Sequence, residues 1–250
     1  MESILRRSPN ASPRTSLAAW IVFLLALFVA PAARAKPISP YRAVLVAGER
    51  DAPVFDRAID AMRTRLLAHG VGAADIAAFS ATRMPPATGR NVLTAIAALH
   101  PAPGQACFVF VTSHGGEGLG LVLAPREEFL TPTALDRAVT AGCGDAPTVV
   151  IASGCYSGSF ARSPLAKPNR IVLTAARADR PSFGCGVEFD YTVFDRCLLD
   201  AMDADATWHE VADRARSCVA AAEHALRFPA SGPRTWLGSG VRGMKVFGGG

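Results

Sequence analysis

Two residues of the chain have the chemistry of a thiol nucleophile and its base, and each follows an apolar run. Cys155 comes shortly after residues 148–152, a short β-branched run typical of a buried parallel strand. His114 comes shortly after a second such run, residues 106–112. Parallel strands end at one edge of a sheet, and open α/β sheets bind ligands at that edge. The spacing therefore predicts nucleophilic catalysis by a cysteine with a histidine as its base.

Glycines accompany both candidate residues. Gly154 and Gly158 lie on either side of Cys155, and Gly115 directly follows His114. A residue without a side chain permits tight turns and lets a substrate backbone come close. The backbone amides of Gly115 and Cys155 are expected to face the oxyanion that forms when a thiolate attacks a carbonyl.

Cys155 also has two simpler interpretations. A cysteine at a strand end is commonly a small buried thiol without reactivity, and only the histidine after the neighbouring strand favours catalysis here. Glycines around a nucleophile at a strand end also imitate the elbow of an α/β-hydrolase esterase. Chain order argues against that fold, because it places the histidine after the nucleophile, and His114 comes first.

The elements that must position these residues alternate between strand and helix patterns. A small β excursion is expected at residues 119–123, shortly after Gly115. Asp51 is expected to cap the first helix. This alternation predicts one α/β domain whose mostly parallel sheet has helices on both faces. The predicted strands are 42–47, 75–81, 106–112, 148–152, 170–175 and 234–237, and the predicted helices are 53–69, 91–100, 131–142, 192–202 and 207–226.

The beginning of the chain has the three parts of a secretory signal. Arginines precede an uncharged apolar stretch over residues 17–30, and small residues at 33–35 fit a cleavage site. We therefore interpret residues 1–35 as a signal peptide and residues 36–250 as the mature domain. This predicts export to the periplasm or the medium. The alternative is an uncleaved segment that anchors the protein to a membrane, which is the only membrane association expected.

The charge of the mature domain gives no sign of a nucleic-acid partner. The formal charge of the 250 residues is +5, and it falls to +2 without the four arginines and one acid of the leader. No basic run with interleaved aromatic residues remains, so nucleic-acid binding is not expected.

Six cysteines are present, at positions 107, 143, 155, 185, 197 and 218. Their spacing, alone or with histidines, matches no structural zinc site, and neither a metal nor another cofactor is expected. With Cys155 set aside, five remain, so at least one more is free or pairs outside the chain. Cys107, Cys197 and Cys218 fall on apolar faces and are interpreted as buried, inert thiols.

Taken together, the two motifs resemble those of the legumain-like cysteine peptidases (peptidase family C13), within the caspase-like group, clan CD. His114-Gly115 after one strand and Cys155-Tyr156-Ser157-Gly158 after the next match in type and order. Further support comes from segments 45–48, 91–93 and 174–176. The resemblance covers nearly all of the mature chain. It implies a caspase-like three-layer α/β/α sandwich and peptide-bond cleavage in peptide or protein substrates by the His114/Cys155 dyad.

The chain departs from the family pattern at three places. Ser113 stands where the family commonly has Asp, and Ser153 stands where it often has an acid. Glu49 lies roughly where legumains have an asparagine near the end of the first strand. Glu49 is interpreted either as a residue that orients His114 or, slightly favoured, as a solvated loop acid.

The resemblance also suggests a specificity pocket in the loop after the fifth strand. Ser182 and Asp190 are the counterparts expected there, and a pocket aspartate selects basic or amide side chains. Asp190 has an equally good alternative role as the cap of the helix that begins near Thr192.

The predicted function is therefore that of a cysteine-type endopeptidase that forms an acyl-enzyme. Two alternatives remain open. The departures at Ser113 and Ser153 are compatible with a caspase-like scaffold that binds peptide without cleaving it, and the same dyad can serve a transpeptidase or an esterase. The sequence leaves open the preferred substrate residue, propeptide removal, the disulfide pairs and the oligomeric state.

Overall fold

A computed structural model of the protein describes residues 40–247. The predicted signal peptide over residues 1–35 lies outside the described residues. Within the described part, no helix is both long enough and apolar enough to cross a membrane. The same residues contain no group of three or more His, Cys, Asp or Glu side chains arranged to hold a metal ion.

The centre of the fold is a six-stranded sheet. Its strands are β1 (Tyr41–Ala47), β2 (Ile76–Ser80), β3 (Ala106–Thr112), β7 (Thr148–Ser153), β8 (Arg170–Thr174) and β9 (Arg234–Leu237). They lie in the order β2-β1-β3-β7-β8-β9, and neighbouring strands are parallel except β8 and β9, which pair antiparallel. A separate antiparallel sheet follows β3 and contains β4 (Gly115–Gly116), β5 (Gly120–Leu123) and β6 (Glu128–Leu130). This small sheet is the predicted β excursion.

Within residues 40–247, five α-helices complete the domain and cover both faces of the central sheet. They are α1 (Pro53–Ala68), α2 (Gly89–Ala97), α3 (Pro132–Cys143), α4 (Val193–Ala201) and α5 (Trp208–Leu226). The buried residues of α1, α4 and α5 belong to one apolar cluster, and those of α2 and α3 belong to a second. The fold is thus the expected three-layer α/β/α sandwich with a mostly parallel central sheet.

Strand alternation divides the sheet residues between the two clusters. In β3, Phe108 and Phe110 face the first cluster, whereas Val109 and Val111 face the second. All seven residues of this strand are buried, as expected for a central strand with helices on both faces. The continuous apolar runs in the sequence therefore mark the centre of the sheet.

The cap predicted for the first helix is wrong. The N-cap of α1 is Ala52, which has an extended backbone and makes no side-chain cap, while Asp51 is exposed. Pro53 occupies the first turn of the helix. Because proline has no backbone N–H and its φ is already helical, this end needs one cap fewer.

The interpretation of three cysteines as inert thiols is also wrong. Cys107 in β3 forms a disulfide with Cys143 at the end of α3, and Cys197 in α4 forms one with Cys218 in α5. The sequence gives no register between strand and helix, so it could not show that these sulfurs meet. Cys155 and Cys185 are free, in agreement with the prediction that at least one cysteine besides Cys155 lacks a partner within the chain.

A buried ion pair lies at the end of the sheet where the parallel strands begin, which we call the amino edge. Arg170, the first residue of β8, donates from Nη1 to Asp136 of α3 at 2.6 Å and from Nη2 to Thr140 at 2.9 Å. Lys167 approaches the same Asp136 oxygen at 2.8 Å. Burial opposes ionisation of Asp136, but the hydrogen bonds and charges of Lys167 and Arg170 outweigh it and lower the pKa of this carboxyl.

Candidate active site

The register of the central sheet brings the two sequence motifs to the same edge. Strands β3 and β7 are parallel neighbours, and Thr112 pairs with Ser153 at their carboxyl ends. His114 and Cys155 each come two residues after these paired positions. The amide of Ser113 extends the pairing by donating to the Ser153 carbonyl at 3.0 Å. The two motifs therefore follow neighbouring strands at the same edge of the sheet.

Beyond the ends of β3 and β7, glycines allow the two segments of the chain to come into backbone contact. A Cβ atom on Gly115 would lie 2.0 Å from the carbonyl oxygen of Cys155 and 3.2 Å from its nitrogen. A Cβ atom on Gly154 would lie 2.5 Å from the carbonyl oxygen of Ser113. Real Cβ atoms do not approach backbone atoms this closely, so any other residue would force the two strand ends apart.

The imidazole of His114 packs against the first helix. His114 is half-buried, and its ring meets the Phe55 ring of α1 edge to face, with 5.2 Å between centroids. Next to it, the buried Ser113 hydroxyl donates to the carbonyl of Val122 in β5 at 2.8 Å. Ser113, at the position where the family commonly has Asp, therefore ties β3 to the small sheet.

The sulfur of Cys155 lies against the loop that follows β8. The Ser182 amide donates to Sγ at 3.3 Å, and the thiol donates to the Ser182 carbonyl at 3.5 Å. Tyr156 then takes a left-handed backbone with φ 58°, and its amide donates to the Arg180 carbonyl at 2.8 Å. Left-handed tyrosine is rare and costs backbone strain, which proteins tolerate mainly at functional sites.

The model of the peptidase C13 family matches residues 88–221, which is more than half of the chain and includes both motifs. The chain belongs to the peptidase C13 family. It is thus a member of a family of cysteine peptidases, and membership of this family implies peptide or protein substrates. No significant match to a curated protein sequence was found.

The fold of this C13 family member is also found among the caspases. The crystal structure of caspase-1 from Spodoptera frugiperda matches with a TM-score of 0.60 and 13% identity. The match covers 84% of this chain and 91% of the caspase chain. At this identity the likeness concerns the fold alone.

A second loop supports the segment that holds the Cys155 sulfur. The Arg177 amide donates to the Ser231 carbonyl at 2.9 Å, and Arg180 Nη1 donates to the Ala230 carbonyl at 2.8 Å. Phe183 stacks on Phe228 with 4.6 Å between ring centroids. Residues 177–183 are therefore fixed between Cys155 on one side and the connection from α5 to β9 on the other.

The structure separates the two residues predicted for the specificity pocket of this family member. Ser182 lies at the Cys155 sulfur. Asp190 is exposed, and its carbonyl oxygen accepts a hydrogen bond from Arg57 Nε at 2.7 Å. The alternative role of Asp190 as a helix cap is wrong, because Thr192 caps α4 by accepting from the Asp195 amide. A pocket role for Asp190 stays a prediction.

Glu49 lies at the end of β1 but is not the solvated acid that the sequence favoured. It is only 8% exposed, and its Oε1 accepts from the Arg50 amide at 2.7 Å. Among residues 40–247 it makes no hydrogen bond or ion pair with His114. Its role in orienting the histidine stays a prediction.

Asp195 is a fully buried acid beneath the two strand ends and was not among the residues predicted from the sequence. Its Oδ2 accepts from Thr112 Oγ1 at 2.6 Å. Neither Ser153 Oγ nor Asp195 Oδ1 has a partner with hydrogen-bond geometry in the described structure. Burial raises the pKa of Asp195, and the hydrogen bond from Thr112 only partly offsets this effect.

A signal for Asp195 was present in the helical pattern of α4. Asp195 follows the buried Phe194 and precedes the buried Leu198 by three positions, so it lies on the apolar face. Acids are almost never fully buried without a partner. An aspartate on such a face, in the first turn after the candidate pocket loop, was therefore the feature to question.

Proposed function

We propose that the protein is a cysteine-type endopeptidase in which Cys155 is the nucleophile and His114 the general acid and base. The observation that carries the proposal is the backbone contact between Gly115 and Cys155, which brings the histidine and cysteine motifs to one edge of the sheet. Both side chains are half-buried there, and the Cys155 thiol is free. A free thiol and an imidazole that follow neighbouring strands at one edge supply the nucleophile and the base that acyl transfer requires.

In this mechanism the Cys155 sulfur attacks the carbonyl carbon of the scissile bond as His114 takes up the thiol proton. The amides of Gly115 and Cys155 stabilise the oxyanion of the tetrahedral intermediate. The intermediate collapses to a thioester as the C–N bond breaks, and His114 transfers its proton to the leaving amine. A water molecule, deprotonated by His114, then hydrolyses the thioester and regenerates the thiol.

The mature protein is proposed to act outside the cytoplasm after removal of residues 1–35. The two disulfides support this location, because disulfides form and persist mainly in oxidising compartments. Cell fractionation of the full-length protein tests it. Mature protein starting near residue 36 in the exported fraction supports cleavage, whereas uncleaved protein in the membrane fraction supports the anchored alternative.

A peptidyl electrophile that modifies thiols tests the nucleophile directly. We expect one adduct per molecule, located at Cys155 by peptide mass mapping, and cleavage of a mixed peptide library by the same preparation. Cys155→Ala should lose both, and Cys185→Ala, which removes the other free thiol, should keep both. A folded wild-type protein that is neither labelled at Cys155 nor able to cleave the library would instead be a peptide-binding scaffold.

A further inference from the structure

The two cysteines outside the disulfides belong to the same region of the protein. Four cysteines are bonded as Cys107–Cys143 and Cys197–Cys218, which leaves Cys155 and Cys185 as thiols. Both thiols are half-buried. A chain that has oxidised four of its cysteines and kept two reduced at one site has a local reason for the difference.

The loop that contacts the Cys155 sulfur also carries Cys185. Ser182 touches Sγ with its amide nitrogen at 3.3 Å, its carbonyl oxygen at 3.5 Å and its hydroxyl at 3.8 Å. Cys185 follows three residues later and packs partly against the apolar cluster under the loop. The path between the two sulfurs therefore runs through a single short segment of backbone.

The pKa of Cys185 is affected both by burial and by Cys155. Burial raises the pKa of the Cys185 thiol, and the negative charge of a Cys155 thiolate raises it further. Cys185 is therefore held as a neutral thiol. The thiolate is the form that an oxidant attacks, and the raised pKa of Cys185 keeps that thiol protonated, so Cys155 is the sulfur of the two that should react first.

We propose that Cys185 is a resolving thiol, which forms a disulfide with Cys155 after a hydroperoxide has oxidised the nucleophile. The disulfide withdraws the sulfur from catalysis and protects it from further oxidation. The consequence for activity rests on the function proposed for Cys155, whereas formation of the disulfide does not.

The chemistry has two balanced steps. The Cys155 thiolate attacks one peroxide oxygen, the O–O bond breaks, and the products are a sulfenic acid at Cys155 and hydroxide. The sulfur of Cys185 then attacks the sulfenic sulfur, and its proton leaves with the hydroxyl group as water. The sulfenic acid is neutral, so the thiolate charge that opposed ionisation of Cys185 is lost at the step where Cys185 must react. A dithiol reverses the reaction by exchange and is itself oxidised.

The backbone before Cys185 is packed against α4, whereas the backbone after it is exposed. Gly184 has φ +95°, a conformation that side chains rarely adopt, and a Cβ there would lie 2.7 Å from the Val193 nitrogen. Gly184 thus fixes one side of Cys185 against the start of α4. On the other side, Gly186 and Val187 are exposed. Cys185 is therefore located where an anchored segment joins an exposed one.

Hydrogen peroxide applied to the mature protein tests the proposal, with free thiols counted under denaturing conditions and linked peptides mapped by mass. In the wild type the count should fall from two to zero, with a peptide containing both Cys155 and Cys185 joined by loss of two hydrogens. Activity should fall in parallel, and dithiothreitol should restore most of it. Cys185→Ala should begin with unchanged activity, then lose it to sulfinic and sulfonic acid at Cys155 that dithiothreitol does not reverse.

Cys155→Ala is the matched control, because Cys185 should then keep its thiol at the peroxide dose that oxidises the wild type. Over-oxidised Cys155 with reduced Cys185 in the wild type would overturn the proposal, as would equal loss of the Cys185 thiol in Cys155→Ala. Mapping of the disulfide does not depend on proteolysis. A protein that forms the bond but cleaves no peptide would therefore refute the proposed function and leave this inference standing.

Discussion

A largely buried aspartate lies at each of the two edges of the central sheet, and folding shifts the pKa values of the two carboxyl groups in opposite directions. At the amino edge, Asp136 forms ion pairs with Arg170 and Lys167, which lower the pKa of its carboxyl group. At the carboxyl edge, Asp195 has only neutral partners such as Thr112, and its pKa is raised. The first edge contains a paired charge, and the second favours an uncharged acid next to the candidate dyad.

Mutations at the two edges are expected to affect different properties, stability at one edge and function at the other. Asp195 Oδ1 and Ser153 Oγ at the carboxyl edge, and Arg170 Nε at the amino edge, are buried without partners of hydrogen-bond geometry in the described structure, and each such group costs about 1–3 kcal/mol. The edges differ in that the carboxyl edge contains the candidate dyad, whereas the amino edge contains the paired charges of Asp136, Arg170 and Lys167. The carboxyl edge is therefore expected to respond to mutation chiefly through activity, and the amino edge chiefly through unfolding.

The largest expected effect is on catalysis, from His114→Ala at the carboxyl edge. Loss of the general acid and base should reduce kcat/KM for a peptide substrate by about 10²–10⁴-fold. The variant also loses the edge-to-face contact with Phe55, so the free energy of unfolding should fall by about 1 kcal/mol. Steady-state kinetics and urea unfolding on the same sample measure both. His209→Ala, an exposed residue of α5, should change neither.

The next effect is on stability, from Asp136→Ala at the amino edge. Arg170 is almost fully buried, with a side chain that is 1% exposed, and would keep its charge without a carboxylate. Breaking a buried pair in this way costs about 3–5 kcal/mol. The exposed pair of Asp203 and Arg214 provides the control, since Asp203→Ala should cost less than about 1 kcal/mol. Urea unfolding compares them, and equal losses would remove the contrast between the edges.

Much of this architecture could be predicted from the sequence because its signals are local. Buried runs such as residues 106–112 and helical periods identify nearly every strand and helix, and chain order with the rule that parallel strands share an edge brings His114 next to Cys155. The family pattern was equally readable, since it depends on short motifs that follow strands.

What the sequence could not provide depends on contacts between distant elements. The Cys107–Cys143 bond requires the register of α3 on β3, and the burial of Glu49 requires knowledge of what covers the end of β1. Asp195 was missed because helical periodicity records which face is buried but not which side chains from other elements lie opposite. Its partner Thr112 is 83 positions away.

The pH dependence of stability should have opposite signs at the two edges. Folding raises the pKa of Asp195, so its favourable contribution is complete below the unfolded value of about 3.9 and declines as pH rises through the folded value. Folding lowers the pKa of Asp136, so its contribution is present above about 3.9 and is lost as pH falls through the folded value.

Asp195→Asn and Asp136→Asn isolate these two contributions. Relative to Asp195→Asn, the wild type should lose stability as pH rises, by at most about 1.4 kcal/mol per pH unit. Relative to Asp136→Asn, it should lose stability as pH falls. Urea unfolding of the three proteins over a pH series measures both slopes. The same sign for both variants would show that Asp195 is ionised in the folded protein.

The smallest expected effect concerns the cap that holds Asp195 at the carboxyl edge. Thr192→Ala removes the hydroxyl that accepts from the Asp195 amide at 3.0 Å, and loss of an N-cap costs about 1 kcal/mol. Asp190→Ala changes an exposed side chain that does not cap the helix, and should stay within about 0.5 kcal/mol of the wild type. Because the cap fixes the first turn of α4, Thr192→Ala should also shift the pH at which Asp195 titrates, whereas Asp190→Ala should not. Unfolding at two pH values distinguishes these results, and equal stability losses in the two variants would return the cap to Asp190.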